Sequence, residues 1–200
     1  DVDRSRGLGD VYKRQGVNIE LIDVDEIEND DLDRFDTIIM GIRAFNIHNE
    51  LKSKNVLLFD YVKRGGNLLI QYNTTRNLLT SKLTPLYLNL SRDRVTEEDS
   101  TVKILNPLDR AFNFPHKITS EDFENWVQER GLYFPNKWDK NFIPMLSMND
   151  KNEEEKLGSL LIGNYGEGKI IYTGLSFFRQ IPSGVTGAYR LLINLISLEQ

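Results

Sequence analysis

Ser159–Leu198, SLLIGNYGEGKIIYTGLSFFRQIPSGVTGAYRLLINLISL, is the stretch on which the fold turns. Ser159 to Asn164 and Lys169 to Thr173 are apolar runs of strand length. They flank Gly166-Glu167-Gly168, a hairpin signal. Further on, Val185, Ala188, Leu191, Leu192, Leu195 and Ile196 recur at helical spacing and form one apolar stripe. Ser183 is the expected N-cap of that helix, just past Pro182. Two strands closed by a helix that buries one face are a common end to an α/β domain.

Upstream segments agree. Thr37 to Gly41 (TIIMG) and Asn67 to Tyr72 (NLLIQY) are continuous apolar runs, as expected of strands buried on both faces of a parallel sheet. A helix is expected between them, from about Asn49 to Arg64, with Leu51, Leu58, Tyr61 and Val62 on one face. Lys63 and Arg64 suit its last turn, where cations complement the helix dipole, and Gly65-Gly66 supplies the stop. Strand–helix–strand order predicts a right-handed βαβ crossover. Val17 to Val24 (VNIELIDV) alternates apolar and polar residues and predicts a further strand.

The middle of the chain is less regular. Thr74 to Glu98 reads as helix and loop, and Val102 to Leu105 as a strand closed by Asn106-Pro107. Thr119 to Asp122 resembles a helix start, with a hydroxyl three residues before an acid; Phe123 to Gln128 would be the short helix. Asn149 to Lys156 (NDKNEEEK) reads as a solvated, mobile loop. There is no internal repeat and no domain linker.

Composition sets bounds. Two hundred residues suffice for one domain with a real core. No apolar run approaches the roughly 20 residues of a membrane-spanning helix. The net charge of −5 argues against a phosphate-backbone partner, which needs a basic face. Zero Cys excludes disulfides, thiolate metal sites and cysteine nucleophiles. Compartment stays open between cell envelope or periplasm and cytoplasm.

Asp10 to Gln15, DVYKRQ, matches the translated end of a transposase adapter used in sequencing libraries. Residues 1–15 are therefore set aside as an artefactual leader, and residues 16–200 are expected to form a single domain, a fragment of a larger protein.

Candidate chemistry is sparse. Eight acids crowd Asp23 to Asp36, but they lack the Gly and the ligand spacing of a calcium loop, so a solvated connection is the simpler reading. His48 and His116 are far apart and belong to no zinc-binding pattern. Gly163, Gly166 and Gly168 join two strands instead of leading into a helix, which argues against a phosphate cradle. Ser176 follows the last strand but has no Gly-x-Ser-x-Gly elbow. Trp126, Tyr133, Phe134 and Trp138, near Glu129 and Arg130, could stack on sugar rings; packing over a core is the commoner use of such a group.

Four segments carry a resemblance: GIRAFN (Gly41 to Asn46), YVKRGGNLLIQYN (Tyr61 to Asn73), WVQERGLYFPNKWD (Trp126 to Asp139) and YGEGKIIYTGLSFFRQIPSGVTGAYRLLINLISL (Tyr165 to Leu198). They resemble the C-terminal region of large bacterial PIG-L (LmbE-like) deacetylases of Bacteroidetes type. That region in turn resembles the class I glutamine amidotransferase-like fold, also seen in ThuA-like trehalose-utilisation proteins. The resemblance implies an α/β, flavodoxin-like, mainly parallel sheet flanked by helices, ending in a β-hairpin and helix.

Active amidotransferases place a Cys after a central strand and a His after a later one. Here NLLIQY runs into Asn73-Thr74-Thr75 and KIIYTG into Leu175, so the dyad is missing and no catalytic residue is assigned. PIG-L enzymes are zinc-dependent hydrolases of N-acetyl sugars, and their His-Pro-Asp-Asp motif is absent from this sequence. The resemblance thus implies no cofactor or metal ligand in this fragment, with zinc expected in an N-terminal deacetylase domain, the implied partner.

Two functions follow. One is a non-catalytic domain that scaffolds the deacetylase or positions its glycan. The other is an independent carbohydrate-binding or ThuA-like sugar-processing domain. Candidate ligand contacts are Arg43, Asn46, Asn73, Glu129, Arg130 and Arg179. Arg43 and Asn73 follow expected strands, beyond whose carboxyl ends open parallel sheets bind ligands, and Glu129 is a candidate Brønsted acid.

Overall fold

The computed structural model describes residues 17–28 and 31–198; the adapter-like leader at residues 1–15 lies outside them. In chain order the elements are β1 (Thr37–Met40), α1 (Ala44–Ile47), α2 (Leu51–Lys63), β2 (Asn67–Gln71), β3 (Leu88–Val95), β4 (Val102–Ile104), β5 (Gly131–Trp138), β6 (Phe142–Pro144), β7 (Leu146–Met148), β8 (Leu160–Tyr165), β9 (Gly168–Thr173), α3 (Phe177–Gln180) and α4 (Thr186–Ile196). The main sheet has the order β1-β2-β9-β8-β6. β1, β2 and β9 run parallel, whereas β8 is antiparallel to both its neighbours, β9 and β6, so the sheet is mixed. The pairs β3–β5 and β4–β7 form two small antiparallel sheets.

The apolar runs of β2 and β9 are buried on both faces, but β1 is not: it lies at the sheet edge, where Ile38 and Met40 are buried and Ile39 is exposed. Leu68 and Ile70 of β2, with Ile170 and Tyr172 of β9, pack with Leu51, Leu58, Tyr61 and Val62 of α2. Leu69 and Ile171 face the other way, into a cluster with Ala188, Leu191, Leu192 and Leu195 of α4. Period-two alternation thus sends successive residues of one strand into two cores. Helices as short as α4 are marginal alone. Burying its leucines, at roughly 1.5–3 kcal/mol each, is what holds it.

α2 ends as expected, with Gly65 at φ 120°. A Cβ at Gly66 would lie 2.1 Å from the Tyr61 ring, whose hydroxyl donates to the Phe35 carbonyl at 3.0 Å. The hairpin also forms as read, Leu160–Tyr165 against Gly168–Thr173. Among the described residues no helix is long and apolar enough to cross a membrane.

Several local expectations are corrected. Val17 to Val24 is not a strand: residues 17–23 lack regular structure and Val24 opens a 3-10 turn. Its apolar side chains are only partly buried and serve two different cores, Val17 and Ile19 one, Ile22 and Val24 the other. Thr74 to Glu98 contains no helix; Leu88–Val95 pairs with Gly131–Trp138, because alternate apolar residues find a partner distant in sequence.

Thr119 and Asp122 do form a capping box, on a 3-10 turn that ends at Phe123, so Phe123 to Gln128 is not a helix. Asn125 and Gln128 sit at positive φ there, outside helical geometry. Val185, not Ser183, caps α4, because Gly184 at φ 74° turns the chain first.

The loop Asn149 to Lys156 is pinned at Asp150. This buried carboxylate accepts from the Thr96 and Glu97 N–H groups (2.8 and 2.9 Å) and from the Thr96 hydroxyl (2.8 Å). Burial alone would raise its pKa, but the backbone bonds from Glu97 and Thr96 outweigh it and hold it below the ordinary Asp value. A depressed folded-state pKa stabilises at pH above the unfolded value, about 4, and that stability drains as pH falls through the folded value. Denaturant unfolding of wild type and Asp150→Asn at pH 7, 4 and 3 tests this. The gap between them is expected to be widest at pH 7 and to shrink below about pH 4; a gap constant with pH would contradict it.

Candidate functional site at the carboxyl edge of the parallel strands

β1, β2 and β9 end on one edge, where the connections leave for α1, the Thr74 loop and α3. Arg43 occupies the left-handed region, φ 58°, and its N–H donates to the Tyr72 carbonyl at 2.8 Å. Asn73 lies two residues past the end of β2. It is fully buried; its Oδ1 accepts from the Phe45 N–H (2.9 Å) and its Nδ2 donates to the Gln71 carbonyl (3.0 Å). Asn46 reciprocates from the other loop, donating to the Thr74 carbonyl (3.0 Å) and accepting from the Thr74 N–H (2.9 Å). Both asparagines are therefore occupied in tying two loops together.

Beyond β9, Ser176 is fully buried, and its Oγ donates to the Glu129 carbonyl at 2.5 Å. Gln180 of α3 accepts from the Val127 N–H (2.8 Å) and donates to the Val127 carbonyl (3.0 Å). These bonds carry the 127–129 segment to the sheet edge. There the Glu129 carboxylate accepts from Arg179 Nε at 2.8 Å. The Arg179 guanidinium also donates to Gln128 Oε1 and stands 4.9 Å from the Phe178 ring centroid.

Tyr72 lies at the centre. Its ring stacks on Tyr133, 6.1 Å between centroids with planes 10° apart, and leans on Phe178 at 5.2 Å. Tyr133 is itself at φ 54°, and its carbonyl accepts from the Tyr172 hydroxyl at 3.2 Å. Non-glycine residues in this region cost of order 1–3 kcal/mol and persist only where their surroundings enforce them. Two of them, Arg43 and Tyr133, flank Tyr72.

Burial raises the Tyr72 pKa, Arg43 and Arg179 pull it back, and Glu129 pushes it up. The phenol is therefore a neutral donor at pH 7. It has no hydrogen-bond partner among the described residues, yet it is not among the buried polar atoms sealed without one.

Of the six candidate contacts, Arg43, Glu129 and Arg179 gather around Tyr72, while Asn46 and Asn73 lie beneath as supports. Arg130 does not join them. Its guanidinium is buried and donates to the carbonyls of Ser100 (3.0 and 2.7 Å) and Phe123. Sequence reasoning missed Tyr72 and Phe178, although the rule that ligands bind beyond strand carboxyl ends pointed at both.

The aromatic group read from the sequence is divided. Trp126 packs in the core against Phe123 and Phe177, Phe134 is fully buried, and Trp138 sits at the far end of β5 against the other core. Only Tyr133 reaches the edge.

Among the described residues no three of His, Asp or Glu form a metal-ligand set. A shallow depression of about 570 Å³ is lined by Asp60, Lys63, Arg64 and Glu167. It lies where β2 and β9 begin, at the end of the sheet away from the usual ligand site.

No family model matches the chain, and no curated protein matches it. Solved structures do. A cytoplasmic protein of Salmonella typhimurium is 17% identical, with a TM-score of 0.60 over 94% of this chain and 83% of its own. A ThuA-like protein from Bacteroides uniformis is 14% identical, with a TM-score of 0.56 over 99% of this chain and 84% of its own. A cold-adapted β-galactosidase from Rahnella matches at 13% identity and a TM-score of 0.50, over 90% of this chain and 25% of its own. At these identities the likeness shows fold alone: the chain has the ThuA-like, amidotransferase-like α/β fold.

Proposed function

We propose that this is a non-catalytic ThuA-like domain whose carboxyl-edge crevice holds a glycan. In this reading it belongs to a PIG-L-type N-acetyl-sugar deacetylase and positions substrate for an N-terminal, zinc-bearing domain. One observation carries the non-catalytic part. The residues after β2 and β9, Asn73 and Ser176, are buried, and their side chains are bonded to backbone groups. The glycan part is supported by the Tyr72, Tyr133 and Phe178 rings beside Arg43, Arg179 and Glu129. Aromatic rings offer flat apolar area with polar groups at their margin, and a sugar ring has both surfaces.

A second reading, an independent carbohydrate-binding or sugar-processing domain, draws support from another fact. The Salmonella and Bacteroides matches are covered over 83% and 84% of their own lengths, so in those chains the fold occurs with little else attached.

Titration with N-acetylglucosamine oligomers tests glycan holding. Saturable binding at or below millimolar ligand is expected, and its absence would remove the glycan part of both readings. Enzymatic deacetylation of the same oligomers by this chain, with zinc added, would refute the non-catalytic assignment.

A further inference from the structure

We infer that the glycan held at this edge is an acidic sugar, whose carboxylate is received by the Arg43 guanidinium and the Tyr72 hydroxyl; this rests on the glycan reading above. The argument starts from which charges are already spent. Arg179 is engaged with Glu129 at 2.8 Å, so those two groups offset each other. Arg43 is exposed and its side chain has no hydrogen-bond or ion-pair partner among the described residues. The groups around Tyr72 are Arg43, Arg179, Glu129 and Tyr133. The uncompensated charge of the crevice is therefore one positive, on a chain of net −5.

The cation is also held in place. Its own N–H is bonded to the Tyr72 carbonyl at 2.8 Å, and the next two residues, Ala44 and Phe45, are buried, with Phe45 bonded to Asn73 at 2.9 Å. Only the side chain beyond Cβ is free to move. A residue kept at φ 58° at the end of a parallel strand aims its side chain from a stem the loops cannot easily relax.

The donors then select the ligand. Arg has donors and no acceptor, and the neutral Tyr72 hydroxyl has a proton to give. A sugar hydroxyl offers the guanidinium a single neutral acceptor oxygen. A carboxylate is acceptor-only and matches the guanidinium fork with two parallel bonds. The Tyr133 and Phe178 rings, both half-buried, are placed to take the face of the sugar that bears it.

Calorimetric titration of the full chain with trigalacturonate, with its methyl ester and with sodium acetate at matched ionic strength tests the inference. Trigalacturonate is expected to bind about tenfold more tightly than the ester, roughly the worth of one charge-assisted bidentate contact. Arg43→Gln is expected to erase that preference, and Tyr72→Phe to reduce it severalfold. Raising salt from 50 to 500 mM should narrow the gap in wild type, a readout that needs no variant. Equal affinity for acid and ester overturns the inference and leaves the glycan reading standing. Acetate binding as tightly as trigalacturonate overturns it by showing a site for any small anion. No binding by either sugar overturns the inference, and the N-acetylglucosamine titration then decides the glycan reading separately.

Discussion

Arg130→Met is expected to lower the stability of this protein by about 2–4 kcal/mol, or roughly 10 °C in Tm for a chain of this size. The guanidinium is buried without a carboxylate partner and donates to the Ser100 and Phe123 carbonyls. Its own N–H bonds the Val95 carbonyl (3.0 Å), and its carbonyl accepts from the Ser176 N–H (3.0 Å). Those backbone ties survive the substitution, so what is lost is the side chain's share.

Two effects compete. Methionine removes a charge that burial disfavours, as the lowered Arg130 pKa records, with Asp99 and Glu98 only partly offsetting it. Against that relief, two carbonyls in a packed region lose their donors, at roughly 1–3 kcal/mol each. The second effect is larger, because two carbonyls left without donors in a packed region each carry their full desolvation cost. Thermal unfolding by circular dichroism decides: a variant within 1 °C of wild type contradicts the argument. Arg130→Lys should fall between, since one ammonium cannot reproduce a planar fork reaching two carbonyls.

The second large effect is one where helix propensity and packing predict opposite signs. Gly187 lies in the first turn of α4, and alanine at an open helical glycine stabilises by up to about 1 kcal/mol. Here a Cβ would stand 1.9 Å from the Asp122 carbonyl oxygen and 2.5 Å from its carbonyl carbon. Backbone cannot rotate aside as a side chain tip can, so α4 or the Ser120–Phe123 turn must move.

That movement strains two nearby ties, the Arg190–Asp122 ion pair at 2.7 Å and the Asn194 bonds to the Ala111 and His116 carbonyls at 2.9 and 2.7 Å. Gly187→Ala is expected to destabilise by about 2–3 kcal/mol and Gly187→Val by more, read as the urea midpoint at constant m-value. A raised midpoint for the alanine variant would mean that α4 does not rest on the Asp122 backbone.

Much of the framework was legible along the chain, wherever a segment's neighbours are supplied by its own periodicity. NLLIQY and KIIYT are buried on both faces because apolar residues run unbroken through their centres, whereas TIIM, at the sheet edge, buries Ile38 and Met40 and exposes Ile39. α2 and α4 carry stripes, and the turns at Gly65, Gly66 and Gly166 announce themselves. Where periodicity was weak, partners far away decided. Leu88–Val95 became a strand by pairing with Gly131–Trp138, with register shifts that no local pattern encodes. VNIELIDV alternates well enough for a strand but forms none, because its side chains divide between two cores.

The edge of the sheet shows the same division. That Arg43, Asn73 and Arg179 follow strands could be read from order alone. That Asn46 and Asn73 are occupied by each other's loops, and that Arg130 turns inward, could not, since a polar side chain does not declare its partner.

By itself, then, the chain determined β1, β2, β4, β8 and β9, its two main helices and the carboxyl edge where a ligand would sit, because hydrophobic burial acts through local spacing. Only tertiary structure decided which polar groups remain available there. Hydrogen bonds between segments 28 to 83 residues apart, such as those of Asn73 and Asn194, depend on where the backbone brings donors and acceptors together.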